Sequence, residues 1–248
     1  MAERRNWSET EVAEALALYL RLVFGKFHSR NPQVIALAAR LGRTPSAVAL
    51  KLTNLAALDE TLAQKGMANA SATDRRVWAR FLNDPDEVLS AFARQDAEPA
   101  RLEGFAERAE AFAGRQDRVV TATVRQRIGQ SFFREMILTA YGNRCALTGI
   151  EDARLITASH IVGWAEDTSV RVNPRNGIAL NALHDRAFDR HLITFDDDYR
   201  MVIAADVPPE ARRQLQRVDS DRLNMPERSL PDPALMQRHR QRFHARQA

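Results

Sequence analysis

Apolar residues in the first half of the chain recur at helical spacing. Val12, Leu16, Tyr19, Leu20 and Val23 share one face of the segment 8–24, the repeat expected of an amphipathic helix. Ser8 and Glu11 stand at capping-box spacing at its start, and Phe24-Gly25 closes it. Asn31-Pro32 predicts a second helix, capped by the asparagine with proline at its first position. It carries Val34, Ile35, Leu37 and Ala38 to Leu41, with Gly42 as the stop. Thr44-Pro45 repeats the start signal for a third helix through Val48, Leu50, Leu52 and Leu55. A fourth is predicted over 73–82 with Thr73 as cap, broken at Asn83-Asp84-Pro85. Residues 86–115 are charged and alanine-rich, with Leu89, Phe92, Leu102, Phe105 and Phe112 at helical intervals. Pro99 and Gly104 divide them into two helices.

The texture changes from Arg118. Val119–Val124 is β-prone, and Gln130–Tyr141 forms an amphipathic helix on Phe132, Phe133, Met136, Ile137 and Ala140. Asn143–Gly149 is a turn, Leu155–Val162 is β-rich, and 176–190 reads as a helix starting at Asn176-Gly177. Leu192–Phe195 and Tyr199–Ile203 flank Asp196-Asp197-Asp198 as a hairpin. The tail, Arg238 to Arg246, reads as a basic helix that either contacts a nucleic-acid backbone or is a solvated end. The predicted division is 1–85, a helical domain; 86–117, a helical connector; and 118–248, a mixed domain. The fold class is α+β.

The two helices joined by Leu41-Gly42-Arg43-Thr44 are helix-turn-helix-like. On that reading Arg43, Ser46 and Lys51 lie on or near a recognition helix and contact DNA. A plain helical bundle with a solvated polar face fits the same pattern. Trp7 and Trp78 are expected in the core.

Composition narrows the chemistry. The 248 residues carry a net charge of +4. Lys26, Lys51 and Lys65 are the only lysines, so the positive charge is almost all arginine, which suits bidentate phosphate contacts and equally follows from base composition. Cys145 is the only cysteine, which excludes an internal disulfide and a four-cysteine structural zinc. No stretch reaches the roughly 20 apolar residues that cross a membrane, and the start lacks an apolar signal core. The default expectation is a cytoplasmic protein with no membrane partner.

The chemistry gathers in three segments: Ala158-Ser159-His160-Ile161, then Asn173-Pro174-Arg175-Asn176-Gly177-Ile178-Ala179-Leu180, then Leu183-His184-Asp185-Arg186-Ala187-Phe188-Asp189. A neutral imidazole can deprotonate water near neutral pH, as phosphodiester hydrolysis requires; His160 is the candidate. A histidine among Ile156, Ile161 and Val162 is otherwise a satisfied core residue. Asn176 suits a helix N-cap. Asp185 and Asp189 are four apart on one helix face, and paired carboxylates suit a hard cation such as Mg²⁺ or Mn²⁺.

These motifs, with Arg144-Cys145-Ala146-Leu147-Thr148-Gly149 before them, resemble the HNH endonuclease superfamily over roughly residues 125–205. The resembling branch has a Ser-His-Ile or Ala-His-Ile first motif, then Arg-Asn-Gly, then a Phe-Asp pair. The resemblance implies a ββα-metal nuclease domain behind the helical one, with His160 activating water and Asn176 tying the loop to the strand so as to orient it. It implies a helix ligand nine positions after the asparagine, which is Asp185, with His184 or Asp189 assisting; His184 is counted with the catalytic residues too. Asp189 otherwise accepts backbone N–H groups. The residue before the base is often a ligand in relatives and here is Ser159, a poorer one. His160 and the 184–189 segment are expected to converge on one cation. Arg175, Arg186 and Arg190 either hold the scissile phosphate or are solvated. His191 is structural, at a position where relatives often carry glycine. With no zinc, Phe132, Phe133, Trp164 and Phe188 brace the domain.

The expected activity is therefore Mg²⁺- or Mn²⁺-dependent hydrolysis of double-stranded DNA in a restriction or defence role, leaving 3′-hydroxyl and 5′-phosphate ends, with a homodimer as a candidate assembly. The helical region looks like those that precede such domains in restriction endonucleases. A DNA-binding regulator that keeps the HNH scaffold without chemistry, and an RNA-directed or toxin nuclease, are the other readings.

Overall fold

The computed structural model describes residues 5–62, 69–96 and 117–247. Its elements are helices and two small antiparallel sheets, an α+β protein. It divides into two compact units, Met1–Glu60 with Gln64–Phe132 and Thr61–Ala63 with Phe133–Ala248. Among the described residues no helix is long and apolar enough to cross a membrane.

In the first unit the predicted capping signals act as read. Helix α1, Glu9–Tyr19, opens on the reciprocal Ser8–Glu11 box. Helix α2, Pro32–Leu41, is capped by Asn31 and stopped by Gly42 at φ 61°, a backbone that glycine enters without a Cβ penalty. Helix α3, Pro45–Ala56, is capped by Thr44. Helix α4, Ala72–Asn83, is capped by Ser71 rather than Thr73, with Asp74 closing its box. Helix α5, Asp86–Asp96, packs on α1. The rest of the expected connector lies outside the described residues. Helix α1 is buried almost all round, from Val12 to Leu20, and α2, α3, α4 and α5 pack against it.

The cationic residues expected on DNA in this unit have partners inside it. Lys51 is 4% exposed and its Nζ lies 2.7 and 2.9 Å from the Asp74 carboxylate, which is wholly buried. Arg43 donates to Glu11 and to the carbonyls of Arg5 and Asn6, and lies over the Trp7 ring at 4.1 Å. Both cations are spent on internal pairs. Ser46 is exposed, but Lys51 is the only charged residue of α3, so the solvent face of that helix is neutral. Trp7 and Trp78 are half-buried against Arg43 and Tyr19.

Helix α6, Asp117–Ala140, replaces the strand expected at Val119–Val124. Once the amphipathic turns downstream are helical, each residue added gains a hydrogen bond without a new nucleation cost, and that outweighs β propensity. Phe132 joins Phe81 and Phe92 in the first unit instead of bracing the second domain.

In the second unit, β1, Ile156–His160, pairs antiparallel with β2, Gly177–Asn181, in the register Ile156 opposite Asn181 and His160 opposite Gly177. The expected helix from Asn176 is therefore a strand first. Ile178, Ala179 and Leu180 are fully buried, and a short continuous apolar run fits a buried strand as well as a helix. Helix α7, Ala182–Asp189, begins only at Asn181, whose Oδ1 accepts the His184 N–H. It ends on His191 at φ 52°, with Leu192 N–H reaching the Ala187 carbonyl, the left-handed stop that glycine usually supplies. The predicted hairpin follows as β3, Ile193–Phe195, and β4, Met201–Ile203. Helix α8, Pro209–Leu215, and helix α9, Pro233–Gln247, complete the unit.

Helix α9 is packed and ion-paired rather than a free solvated end. Leu235, Met236, His239 and Phe243 are buried. His239 stacks on Phe188 at 3.7 Å, donates from Nε2 to the Phe188 carbonyl and accepts the Thr194 hydroxyl at Nδ1. Arg238, Arg240, Arg242 and Arg246 pair with acidic side chains of the unit.

Two stability predictions follow from these buried groups. Lys51→Met leaves the Asp74 carboxylate buried without its cation, a loss of about 3–5 kcal/mol in denaturant titration, with little change in DNA affinity where the variant remains folded. Burial and the neighbouring His191 and Arg240 charges pull His239 down to about 4, against the Phe188 bond. The unfolded chain thus binds a proton that the folded chain refuses below pH 6.5. Stability should be complete above that value and fall as pH drops toward about 4, measured as thermal midpoint against pH, with a smaller drop in His239→Gln.

Candidate active site

His160 closes β1 opposite Gly177. A Cβ on Gly177 would lie 2.5 Å from Ile137 Cδ1 and 2.7 Å from Phe133 Cζ, so the bare backbone lets α6 settle on the end of the hairpin. The Phe133 ring then stacks on the imidazole, centroids 3.8 Å apart and planes at 14°. Trp164 meets the same ring edge-on at 5.5 Å. His160 Nε2 lies 2.9 Å from the Arg171 carbonyl oxygen. A carbonyl only accepts, so the neutral ring carries its proton on Nε2 and its lone pair on Nδ1. Burial lowers the His160 pKa below its ordinary 6.5, opposed by the Arg171 bond. The ring is therefore a neutral base at neutral pH.

Asn176 is fully buried and organises the loop between the strands. Its Oδ1 accepts the Val162 N–H at 2.9 Å, while Nδ2 donates to the carbonyls of Val162 and Val170 at 3.1 and 3.0 Å. Its own carbonyl accepts the Ile161 N–H. Each bond satisfies a main-chain group that would otherwise be costly to bury. Together they return the chain so that the next residue, Arg171, offers its carbonyl to His160. The Arg171 guanidinium folds back to donate to the Trp164 carbonyl.

The Arg144–Gly149 segment is a tight turn laid on β2. Cys145 Sγ accepts the Asn181 N–H at 3.2 Å, and Ala146 N–H reaches the Ala179 carbonyl at 2.8 Å. Hydrogen bonds and packing thus do the bracing here, with Phe133 and Phe188 buried and Trp164 half-buried.

The expected ligand set does not assemble as one cluster. His184 is 1% exposed, with Nε2 at 2.9 Å from the Leu215 carbonyl and Nδ1 at 3.0 Å from Asn181 Oδ1. Both ring nitrogens have hydrogen-bond partners inside the unit, so the ring is packed in the core. Asp189 is exposed, 3.7 Å from Arg186. Asp185 is half-buried. Desolvation raises its pKa, the Ser159 hydroxyl opposes this, Asp189 adds to it, and Arg186 and the Thr157 hydroxyl oppose it. Thr157 and Ser159 share the face of β1 opposite to that of His160, so Asp185 lies against the other face of that strand from His160. Among the described residues no group of three His, Cys, Asp or Glu side chains could hold a metal. One partly desolvated carboxylate beside two hydroxyls does fit a cation of the Mg²⁺ type, which keeps most of its water and takes one or two carboxylates.

Of the arginines expected on DNA, Arg175 is held by Asp232 at 3.1 Å and by the Leu230 carbonyl. Arg186 and Arg190 are exposed on and just after α7. Arg171, Gly177 and Thr157 were not among the sequence candidates. Arg171 acts through a main-chain carbonyl, which any residue supplies, so its side chain carries no signal. The sequence pattern places Gly177 at a helix start, and only the strand register reveals its close contact.

Comparison with known families places residues 145–196 in a match to the family described as HNH endonuclease. The match spans the Cys145 turn, β1, the loop, β2, α7 and β3, and that description indicates nuclease activity in general. Comparison with curated proteins returns no match.

Gly177→Ala drives a methyl group into Ile137 and Phe133. Overpacking of this kind costs about 1–3 kcal/mol, visible in thermal unfolding. The displaced Phe133 ring should also shift the His160 ring-proton resonances in NMR spectra. Unchanged His160 resonances would show that the Phe133 stack does not set the ring's position.

Proposed function

We propose that the second unit is a DNA endonuclease of the HNH type, with His160 as general base. The observation that carries this reading is the His160 Nε2–Arg171 carbonyl bond, which leaves Nδ1 of a neutral, half-buried ring as proton acceptor. Nδ1 takes a proton from water as the oxygen attacks phosphorus. The bond from phosphorus to the leaving 3′-oxygen breaks, that oxygen takes up a proton from solvent water, the proton on Nδ1 returns to solvent, and the products are a 3′-hydroxyl and a 5′-phosphate. Asn176 fixes the loop, Phe133 fixes the ring plane, and Asp185 is the protein ligand for a divalent cation, with Asp189 four residues on as an outer carboxylate. When bound, a Mg²⁺ or Mn²⁺ ion supplies Lewis-acid relief of the charge growing on the phosphate and leaving oxygens. Arg186 and Arg190 are the exposed cations available to the phosphate backbone.

Double-stranded DNA is the proposed substrate and restriction or defence the proposed role, the latter resting on the resemblance of the helical region. Duplex cleavage by a one-site nuclease calls for two copies, so a homodimer on DNA belongs to the same proposal. The reading as a regulator without chemistry draws on the lack, among the described residues, of a three-ligand cluster.

Plasmid nicking with Mg²⁺ or Mn²⁺, with and without EDTA, tests the assignment. His160→Ala should cost at least 10² in rate, the lower end for a positioned base, with DNA binding retained by gel shift, and Asp185→Asn should raise the metal concentration needed. Because the base must be neutral, the rate should rise with pH through a midpoint below 6.5 and then level. Wild-type protein that binds DNA and never cuts it would establish the regulator instead. Preference for structured RNA would redirect the substrate, and modified against unmodified genomic DNA would probe the restriction role.

A further inference from the structure

The loop that holds His160 is itself held from outside. Its inner edge is the Asn176 network and the Arg171 carbonyl. Its outer corner is Glu166-Asp167, and both carboxylates face α9. Arg238 Nη1 lies 2.8 Å from Asp167 and Nη2 lies 3.1 Å from Glu166, while Arg242, one turn on, also pairs with Glu166. Asp167 is held down to about 2 by the Ser169 hydroxyl and by Arg238. At the loop's far end, Arg175 pairs with Asp232, and the Asp232 N–H reaches the Arg175 carbonyl at 2.9 Å. The segment 230–242 therefore grips the loop at its corner and at its return.

The adjoining face of α9 is packed into the unit. Residues four apart lie on one helix face, which puts Arg238 and Arg242 toward the loop. Leu235, Met236, His239 and Phe243 are buried in the unit, and His239 is stacked on Phe188. The arginines are thus presented from a fixed base. Between the Glu166-Asp167 corner and Arg171 lies one short helical turn, Thr168–Val170, capped by Asp167 itself. This turn is the covalent route by which a displacement of the corner would reach the Arg171 carbonyl.

We propose that Arg238 is a positioning residue for the His160 imidazole, acting through Glu166-Asp167 on the loop whose Arg171 carbonyl holds Nε2. This deepens the nuclease reading and rests on it for the kinetic consequence only. Misplacement of about 1 Å of a reacting group can cost around 10²-fold, so a loosened corner should lower kcat by tenfold or more.

The experiment uses full-length protein with Arg238→Gln, Arg238→Glu, and Arg238→Glu combined with Asp167→Arg. Cleavage of a plasmid at saturating DNA, the DNA concentration dependence, and ¹⁵N spectra of the His160 ring are compared. The expected result is a fall in kcat with KM unchanged in both single variants, recovery in the charge-swapped pair, and loss of the uniform Nε2–H tautomer signature in Arg238→Gln. A rise in KM with kcat unchanged would mean that Arg238 contacts DNA instead, and overturns the proposal. So does an unaltered His160 spectrum in a variant that melts with the wild type. If the wild type does not cut at all, the nuclease reading fails, and the tautomer spectra still decide whether the corner positions the ring.

Discussion

The candidate site depends on the amide side chain of Asn176. A buried primary amide has two donors and an acceptor to satisfy, and here all are spent on the main chain of one loop, at Val162 and Val170. Those bonds make 16 residues of irregular chain between the strands (161–176) return on a fixed path. Everything said of His160 follows from that path. The tautomer is set by a carbonyl the path delivers, and the ring plane by a phenylalanine that approaches because Gly177, next to Asn176, has no side chain. An aspartate at 176 would keep the acceptor and lose both donors; an alanine would strand all the partners.

Much of this was legible in the sequence, and the misses share a cause. Capping chemistry is local, so Ser8, Asn31, Gly42 and Thr44 act as read, and the hairpin around Asp196–Asp198 forms where the alternation places it. The motifs single out Asn176 and His160, and the structure shows the one organising the loop whose carbonyl binds the other. What could not be read is whatever depends on a partner distant in sequence. Val119–Val124 is the exception, a local one: it has the composition of a strand and becomes helix because the amphipathic turns directly after it are already helical. Gly177–Asn181 has the composition of either, and pairing with Ile156–His160 decides it. That decision moves the start of α7 to Asn181, which turns His184 into the core and leaves Asp185 beside the hydroxyls of Ser159 and Thr157. Counting from the asparagine points to Asp185, which lies beside the strand, without revealing that its neighbour His184 is turned into the core.

Charge was the least legible property. Nearly all the lysine and arginine was available on paper for nucleic acid, yet Arg43, Lys51, Arg175 and the arginines of α9 are engaged within their own units. The chain has almost as many acids as bases, and the fold brings them together. A buried pair such as Lys51–Asp74 adds little net stability, since desolvation offsets most of the Coulomb attraction; its consequence is that neither partner can be removed alone. The half-exposed pairs at Glu166-Asp167 are weaker and screened by salt. Their value lies in direction, because they join a helix that is firmly packed to a loop with no sheet or helix partner of its own.

That arrangement also bears on why one cysteine suffices. A small hairpin-and-helix core needs a staple when its own apolar surface is too little to fix the loops. Here the work is divided among groups that are each modest. Cys145 accepts a strand N–H as a thiol, α6 closes over Gly177, and α9 brings Phe243, Met236 and the stacked His239 under the second hairpin. The cost is sensitivity to acid, since His239 must stay neutral to remain stacked and doubly hydrogen-bonded, and so must His160 to act as a base. The protonation state that supports the packing of α9 is therefore the same one that the proposed hydrolysis requires, and both fail in the same direction as pH falls.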